Sequence, residues 1–346
     1  MTGEHRGPPP ALFDGYAFDL DGTVYLGDAP LPGAIETIGR IRRAGRPVVF
    51  VTNNPLHSGE DYAGKLRGLG VDAATADVVT ATDALVSYLR SACSQARLLV
   101  LGEKLLTGTL SAAGFALTGE PAAADVVVVS FDRTFDYDKL LAAYRAVRLG
   151  GARLVATNPD PYCPTPDGGL PDCAAMLAAV QACTGATAEA VVGKPSRHMA
   201  AAVLDRLGLA AADSAMVGDR LSTDMIMAKS AGMAGVLVLT GATSPADLAA
   251  AEASALPDYV IQTLPELLLG VTDPARGRDC AGKEESGTCL SSSSCLLTTT
   301  PRSPTRGRSM TRCVAPGCGT WASRTSAHPL MSSPRSPEPH TTTVSR

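Results

Sequence analysis

Up to about Gly270 the chain alternates short, unbroken apolar runs with stretches in which apolar residues recur every three or four positions. The runs Tyr16–Phe18, Val48–Val51, Leu98–Leu101, Val126–Val129, Leu154–Ala156, Ala215–Val217 and Val236–Leu239 are mostly bounded by Gly, Pro, Asn or Asp and do not alternate in polarity, which predicts buried strands. Between them, Ala34–Ala44 places Ile35, Ile38 and Ile41 on one helical face, and Tyr137–Leu149 does the same with Leu140, Leu141, Tyr144 and Val147. Strand followed by helix, many times over, predicts a parallel α/β sheet covered on both faces. Ser58 with Asp61 three residues on reads as a capping box, and Pro245 stands where a first helical turn tolerates it.

The periodicity stops after Thr272. Residues 274–346 are dominated by Ser, Thr, Pro, Arg and Gly, with the run Ser291–Ser294. Such a segment buries too little apolar surface to offset its ordering entropy, so disorder is expected there, as in the polar, proline-rich residues 1–11. A change this abrupt is also what a shifted reading frame near the end of a gene would leave. The tail holds five of the nine cysteines, but Cys289/Cys295 and Cys313/Cys318 lack the spacing and the histidines of common zinc knuckles. Charge divides at the same place: the tail carries 10 Lys and Arg against 4 Asp and Glu, and residues 1–273 carry 20 against 30. The acidic body has no basic stripe for nucleic acid. No run of about 18 apolar residues suggests a membrane span and no signal-like segment opens the chain, so a soluble cytoplasmic protein is expected.

The chemistry gathers at strand ends. Phe18-Asp19-Leu20-Asp21-Gly22-Thr23 delivers two carboxylates where an open α/β sheet binds its ligands, provided the chain turns at Gly22. Close carboxylates repel unless a cation lies between them or one holds a proton, which suits a hard divalent ion at Asp19 and acid/base work at Asp21. Taken alone, the motif is equally an ordinary DG turn beside a solvated aspartate. Thr52-Asn53-Asn54-Pro55, again at a strand end, offers a hydroxyl and backbone N–H groups to phosphate oxygens, although Asn-Asn-Pro is also a common turn. In Gly193-Lys194-Pro195-Ser196 a strand ends in a lysine. Pro195 and Ala188 exclude a Walker A loop, leaving one cation suited to neutralising phosphate. Gly218-Asp219-Arg220 adds a further acid, and Asp224 either braces a metal site or caps the next helix.

These motifs in this order, with Thr157-Asn158-Pro159-Asp160, resemble the haloacid dehalogenase superfamily of phosphohydrolases, subfamily IIA, over about residues 12–270. The resemblance implies a Rossmann-like, doubly wound parallel sheet core (12–83 and 188–272) with an inserted α/β cap domain (84–187) that governs substrate choice. It implies Mg²⁺ as cofactor, Asp19 as nucleophile and metal ligand, and Asp21 as general acid/base that also lends its backbone carbonyl to the ion. Thr52, Asn53 and Asn54 with Lys194 would hold the phosphoryl group, and Asp219 would complete the metal ligands with Asp224 in support. A small phosphorylated metabolite is the expected partner, together with a second copy of the chain through the cap. The expected substrate loop runs from Asn158-Pro159-Asp160 through Leu170-Pro171-Asp172-Cys173, and Pro171-Asp172-Cys173-Ala174 stands where the family usually has Pro-Gly-x-Gly. A receiver module also pairs an acceptor aspartate with a threonine and a lysine, but there the lysine comes last, whereas here Asp219 follows Lys194. A phosphotransferase or mutase on the same scaffold stays open, because an alcohol resolves an aspartyl-phosphate as water does.

Overall fold

A computed structural model describes residues 7–163 and 168–269. The expected tail at 274–346, with its five cysteines, lies outside the described residues, as does most of the expected N-terminal arm; residues 7–11 carry no helix or strand.

Six parallel strands form the first sheet, in the order Tyr259–Ile261, Ala234–Val238, Ser214–Gly218, Gly15–Asp19, Val48–Thr52, Val78–Thr80. Numbered along the chain, this is the order 3-2-1-4-5-6 read from its far edge, the Rossmann arrangement. Every residue of Gly15–Asp19, Val48–Thr52 and Ser214–Gly218 is buried, as expected of strands covered on both faces.

A second parallel sheet is built from the chain between Thr80 and Lys194. Its order is Ala190–Val191, Arg153–Ala156, Val126–Val129, Arg97–Leu101, Ala116–Leu117, which is 2-1-3-4-5 read from the far edge. The strand ahead of Lys194 therefore pairs with this sheet, although the sequence groups it with the residues of the first. Helices Ala81–Ala92 and Arg197–Leu207 lie between the sheets. Leu85 and Leu89 from one, and Met199 and Val203 from the other, share a single apolar cluster with Val49 and Val51 of the first sheet and Val126 and Val128 of the second.

Local predictions meet the structure unevenly. The Ser58–Asp61 capping box starts helix Gly59–Gly68, and Pro245 opens helix Pro245–Ala249. Helix Tyr137–Arg148, by contrast, buries Ala143 and Ala146 most deeply, with Leu140 and Val147 half-buried beside them. Alanine, having no side chain beyond Cβ, lets this helix lie close to its sheet, so its contact line is narrower than the leucine pattern suggests. No described helix is long and apolar enough to cross a membrane.

Candidate active site

In a 3-2-1-4-5-6 sheet the connections diverge between the first and fourth strands, leaving a crevice at their carboxyl ends. Asp19 ends the first strand and Asp219 directly follows the fourth, so both stand at that crevice. Thr52 ends the neighbouring strand, and Lys194 arrives from the edge of the second sheet.

After Asp19 the chain turns tightly: the Val24 N–H donates to Leu20 O at 2.9 Å and the Gly22 N–H to Tyr25 O at 2.8 Å. Gly22 has φ +83°, and a Cβ there would stand 2.6 Å from Asp219 Oδ2, so glycine is required by both backbone and space. The turn leaves Asp19 buried and the Asp21 side chain exposed at the mouth of the site.

Among the described residues, Asp19, Asp219 and Asp224 each bring a carboxylate oxygen within 4.8 Å of the others, all three buried. The Asp21 carboxylate is not part of this trio; Asp224 is. The Lys194 ammonium donates to Asp19 Oδ1 and lies 2.8 Å from Asp224 Oδ1. Asp224 Oδ2 accepts from the Arg220 N–H at 3.1 Å, so this side chain turns back into the cluster and does not cap the following helix.

Negative charge is in excess. Burial raises the pKa of Asp19 above the ordinary carboxylate value; Lys194 pulls it down and Asp219 pushes it up again. Asp224 is raised by burial against the pull of Lys194, and Asp219 by burial and by Asp224. Burial alone would lower the Lys194 pKa, but Asp19 and Asp224 together outweigh it and hold it above the usual lysine value. One ammonium thus serves several acids and leaves them undercompensated. Asp219 Oδ2 accepts from the Ala242 N–H, while its Oδ1 is buried without a hydrogen-bond partner among the described residues. Hard anionic oxygens, one of them orphaned, fit a divalent cation such as Mg²⁺.

Asn53 and Asn54 have different duties. The buried Asn53 amide accepts from the Lys194 N–H at 2.7 Å and donates to Lys194 O at 3.0 Å and to Asp160 Oδ2 at 2.9 Å. Its side chain is consumed in fixing the lysine's backbone and the loop at Asp160. Gly193 makes this close approach possible, since a Cβ there would fall 2.6 Å from Asn53 Oδ1. Asn158 Nδ2 donates to Asn53 O at 3.2 Å, closing the link between the loops. Asn54 Oδ1 accepts from the Leu56 N–H at 2.9 Å, and its Nδ2 points to Cys163 Sγ at 3.5 Å; Thr52 Oγ1 accepts from the Asn54 N–H at 3.2 Å.

A cavity of about 780 Å³ opens above these groups. His57, Lys65 and Arg220 line it beside Asp21, with Lys65 Nζ 4.0 Å above the centre of the Tyr25 ring. Although Asp21 is exposed at the mouth, the protein groups crowded around its carboxylate displace enough water to raise its pKa, opposed by Lys65, Arg220, Lys194 and His57. The chain that builds the second sheet contributes Asp160, Tyr162, Cys163 and Asp172. None of the side chains on these two walls was singled out as a site residue by the sequence, apart from those in the substrate loop. The adjacency of Arg220 to Asp219, and the i, i+3 pairing of Tyr62 with Lys65 on one helix, are the signals that point to this wall.

The chain is similar to known proteins over most of its described residues. Residues 16–116 match the family profile described as haloacid dehalogenase-like hydrolase, and residues 191–267 match a second profile described as HAD-hydrolase-like. The sugar-phosphatase AraL of Bacillus subtilis is 36% identical over 253 residues, covering 73% of this chain and 91% of that protein. The crystal structure of a 4-nitrophenylphosphatase from Thermotoga maritima superposes with a TM-score of 0.69 at 36% identity, covering 74% of this chain and 96% of the other. A glycerol phosphate phosphatase from Mycobacterium tuberculosis, crystallised with calcium, gives 0.68 at 34% identity, covering 74% of each chain. With its parallel sheets and its acids at the switch point, the chain belongs to the haloacid dehalogenase superfamily, subfamily IIA, and is a phosphoric monoester hydrolase.

Proposed function

We propose that the protein is a Mg²⁺-dependent phosphatase of small phosphate monoesters that works through a phosphoryl group carried on Asp19. The observation that carries this reading is the buried trio Asp19, Asp219 and Asp224 set against the single ammonium of Lys194. Asp19 and Asp219, with the backbone carbonyl of Asp21, would hold the ion and Asp224 would support them. When bound, the ion neutralises phosphate oxygens and the excess carboxylate charge.

In the first step an Asp19 oxygen attacks phosphorus in line with the ester bond. That P–O bond breaks, its electron pair leaves with the alcohol oxygen, and Asp21 supplies the proton. The raised pKa of Asp21 suits the acid role, and its place at the mouth puts it on the leaving-group side. In the second step Asp21, now a carboxylate, takes a proton from water as the water oxygen attacks phosphorus. The P–O bond to Asp19 breaks, inorganic phosphate departs, and both acids return to their starting states. Lys194 neutralises phosphoryl charge throughout, while the Thr52 hydroxyl and the backbone N–H of Asn53 receive the phosphoryl oxygens.

The chain that builds most of the second sheet, about residues 84–187, acts in this reading as a cap that excludes water and selects the leaving group. The named relatives include a sugar phosphatase and a glycerol phosphate phosphatase, which supports a small phosphorylated metabolite as substrate. Turnover of para-nitrophenyl phosphate with Mg²⁺, abolished by EDTA, is the expected result. Uptake of a single phosphate without further turnover would instead identify a receiver.

A further inference from the structure

We propose that Tyr25 is a positioning residue for proton transfer: its hydroxyl donates to the Asp21 carboxylate when that side chain turns inward from the mouth, and so aims the other carboxyl oxygen at the leaving-group oxygen. The proposal rests on the phosphatase reading above and adds to it a residue outside the motifs that suggested it.

The first observation is a donor without an acceptor. Tyr25 is 1% exposed and lines the cavity, and its hydroxyl has no hydrogen-bond partner among the described residues. The neighbouring Tyr62 hydroxyl, by contrast, donates to Asn54 O at 3.3 Å. A phenol left unpaired away from water costs free energy, so an acceptor is expected to reach it at some stage of the cycle. Burial raises the Tyr25 pKa, and Asp21, Tyr62 and Asp19 raise it further, which keeps the group protonated and able to donate.

Second, the turn sets an acceptor beside it. Asp21 and Tyr25 pair as an isolated bridge, and the Gly22 N–H donates to Tyr25 O at 2.8 Å, so the two side chains leave the backbone on one face. Of the groups whose charge reaches the phenol, Asp19 is engaged by Lys194 and reserved for phosphorus, and the Tyr62 hydroxyl is committed to Asn54. Asp21 remains. Its carboxylate stands exposed at the mouth, where rotation about its two side-chain bonds is open to it.

Third, the phenol is fixed. Its ring packs in an apolar cluster with Leu20, Val24, Ala63 and Leu66, Lys65 Nζ lies 4.0 Å above the ring centre, and the Tyr25 N–H donates to Leu20 O at 3.2 Å. A fixed donor beside a mobile acid selects one orientation of that acid. In the inward orientation Tyr25 holds one Asp21 oxygen while the other gives its proton to the ester oxygen as the P–O bond breaks. In the second step that same oxygen takes a proton from the attacking water.

The test compares kcat/KM for phenyl phosphate and para-nitrophenyl phosphate, with Mg²⁺, in the wild type and in Tyr25→Phe. The two esters are alike in shape, but the departing phenol needs more help from a proton than the nitrophenol does. Phenylalanine keeps the ring and its packing, so without Mg²⁺ or substrate the variant should melt no lower than the wild type. Its kcat/KM for phenyl phosphate should fall about tenfold or more, and that for para-nitrophenyl phosphate about threefold or less. A loss on phenyl phosphate no greater than that on para-nitrophenyl phosphate, or a variant that melts well below the wild type without ligand, overturns the proposal while leaving the phosphatase reading in place. A wild type inert toward both esters with Mg²⁺ overturns both.

Discussion

Lys194→Met keeps the length and apolar stem of the side chain but removes its charge, and the structure sets the consequence. Lys194 is 4% exposed, and its ammonium faces Asp19 and, at 2.8 Å, a fully buried Asp224. With an effective dielectric constant of about 20, one unit pair at that distance attracts by about 6 kcal/mol, a gain offset in part by desolvation of both ions. Deleting one partner of a buried pair leaves an uncompensated charge and costs about 3–5 kcal/mol. For a folded body of this size that lowers Tm by about 5–10 °C. Differential scanning fluorimetry in EDTA measures it. Adding Mg²⁺ should restore more stability to the variant than to the wild type, because the ion then becomes the main compensating charge for the acid cluster. A variant that melts with the wild type in EDTA, or that gains no more from Mg²⁺ than the wild type does, refutes the view that one ammonium balances these acids.

Other expectations follow from the same contacts. Asn53→Ala removes three hydrogen bonds from a buried position and should cost about 2–4 kcal/mol in urea unfolding, with kcat falling because the Lys194 backbone loses its anchor; a kcat within twofold of wild type would contradict that positioning role. Gly22→Ala forces a Cβ to 2.6 Å from Asp219 Oδ2 in a left-handed backbone, so calorimetric Mg²⁺ affinity should drop by at least about tenfold, and unchanged affinity would count against Asp219 as a ligand. Asp172→Asn should gain stability as pH rises. Burial lifts the Asp172 pKa from 3.8 to about 6, so the stability tied to its protonation is full below the unfolded value and is lost as pH passes the folded one. The gain from Asp172→Asn is then about 3 kcal/mol at pH 8 and roughly half that at pH 5. Denaturant titrations at the two pH values check the sign, which a larger gain at pH 5 would reverse.

What the sequence revealed depended on how local the signal was. Tyr16–Phe18 and Val48–Val51 read as strands because every residue is apolar, and the structure buries them on both faces. Val78–Thr80 and Tyr259–Ile261, three residues each, are too short to stand out from their flanks, and only pairing with a neighbour makes them strands. The motifs at 19–22, 52–54, 194 and 219 were legible because each joins a strand end to a chemically distinctive side chain. Partner choice was not legible. Whether Asp224 caps a helix or faces Lys194, and that Asn53 spends its amide on Asp160, 107 residues away, are decided by how distant loops meet. Likewise, Ala190–Val191 carries no mark in its own residues of the sheet it joins; its register with Val155 and Ala156 supplies that.

The central claim is tested most directly by Asp19→Asn, which removes the nucleophile's charge with almost no change of shape. The account predicts a folded protein whose steady-state turnover of para-nitrophenyl phosphate with Mg²⁺ falls by at least about a thousandfold. Turnover within about tenfold of the wild type, in a preparation shown to be free of wild-type enzyme, would contradict it.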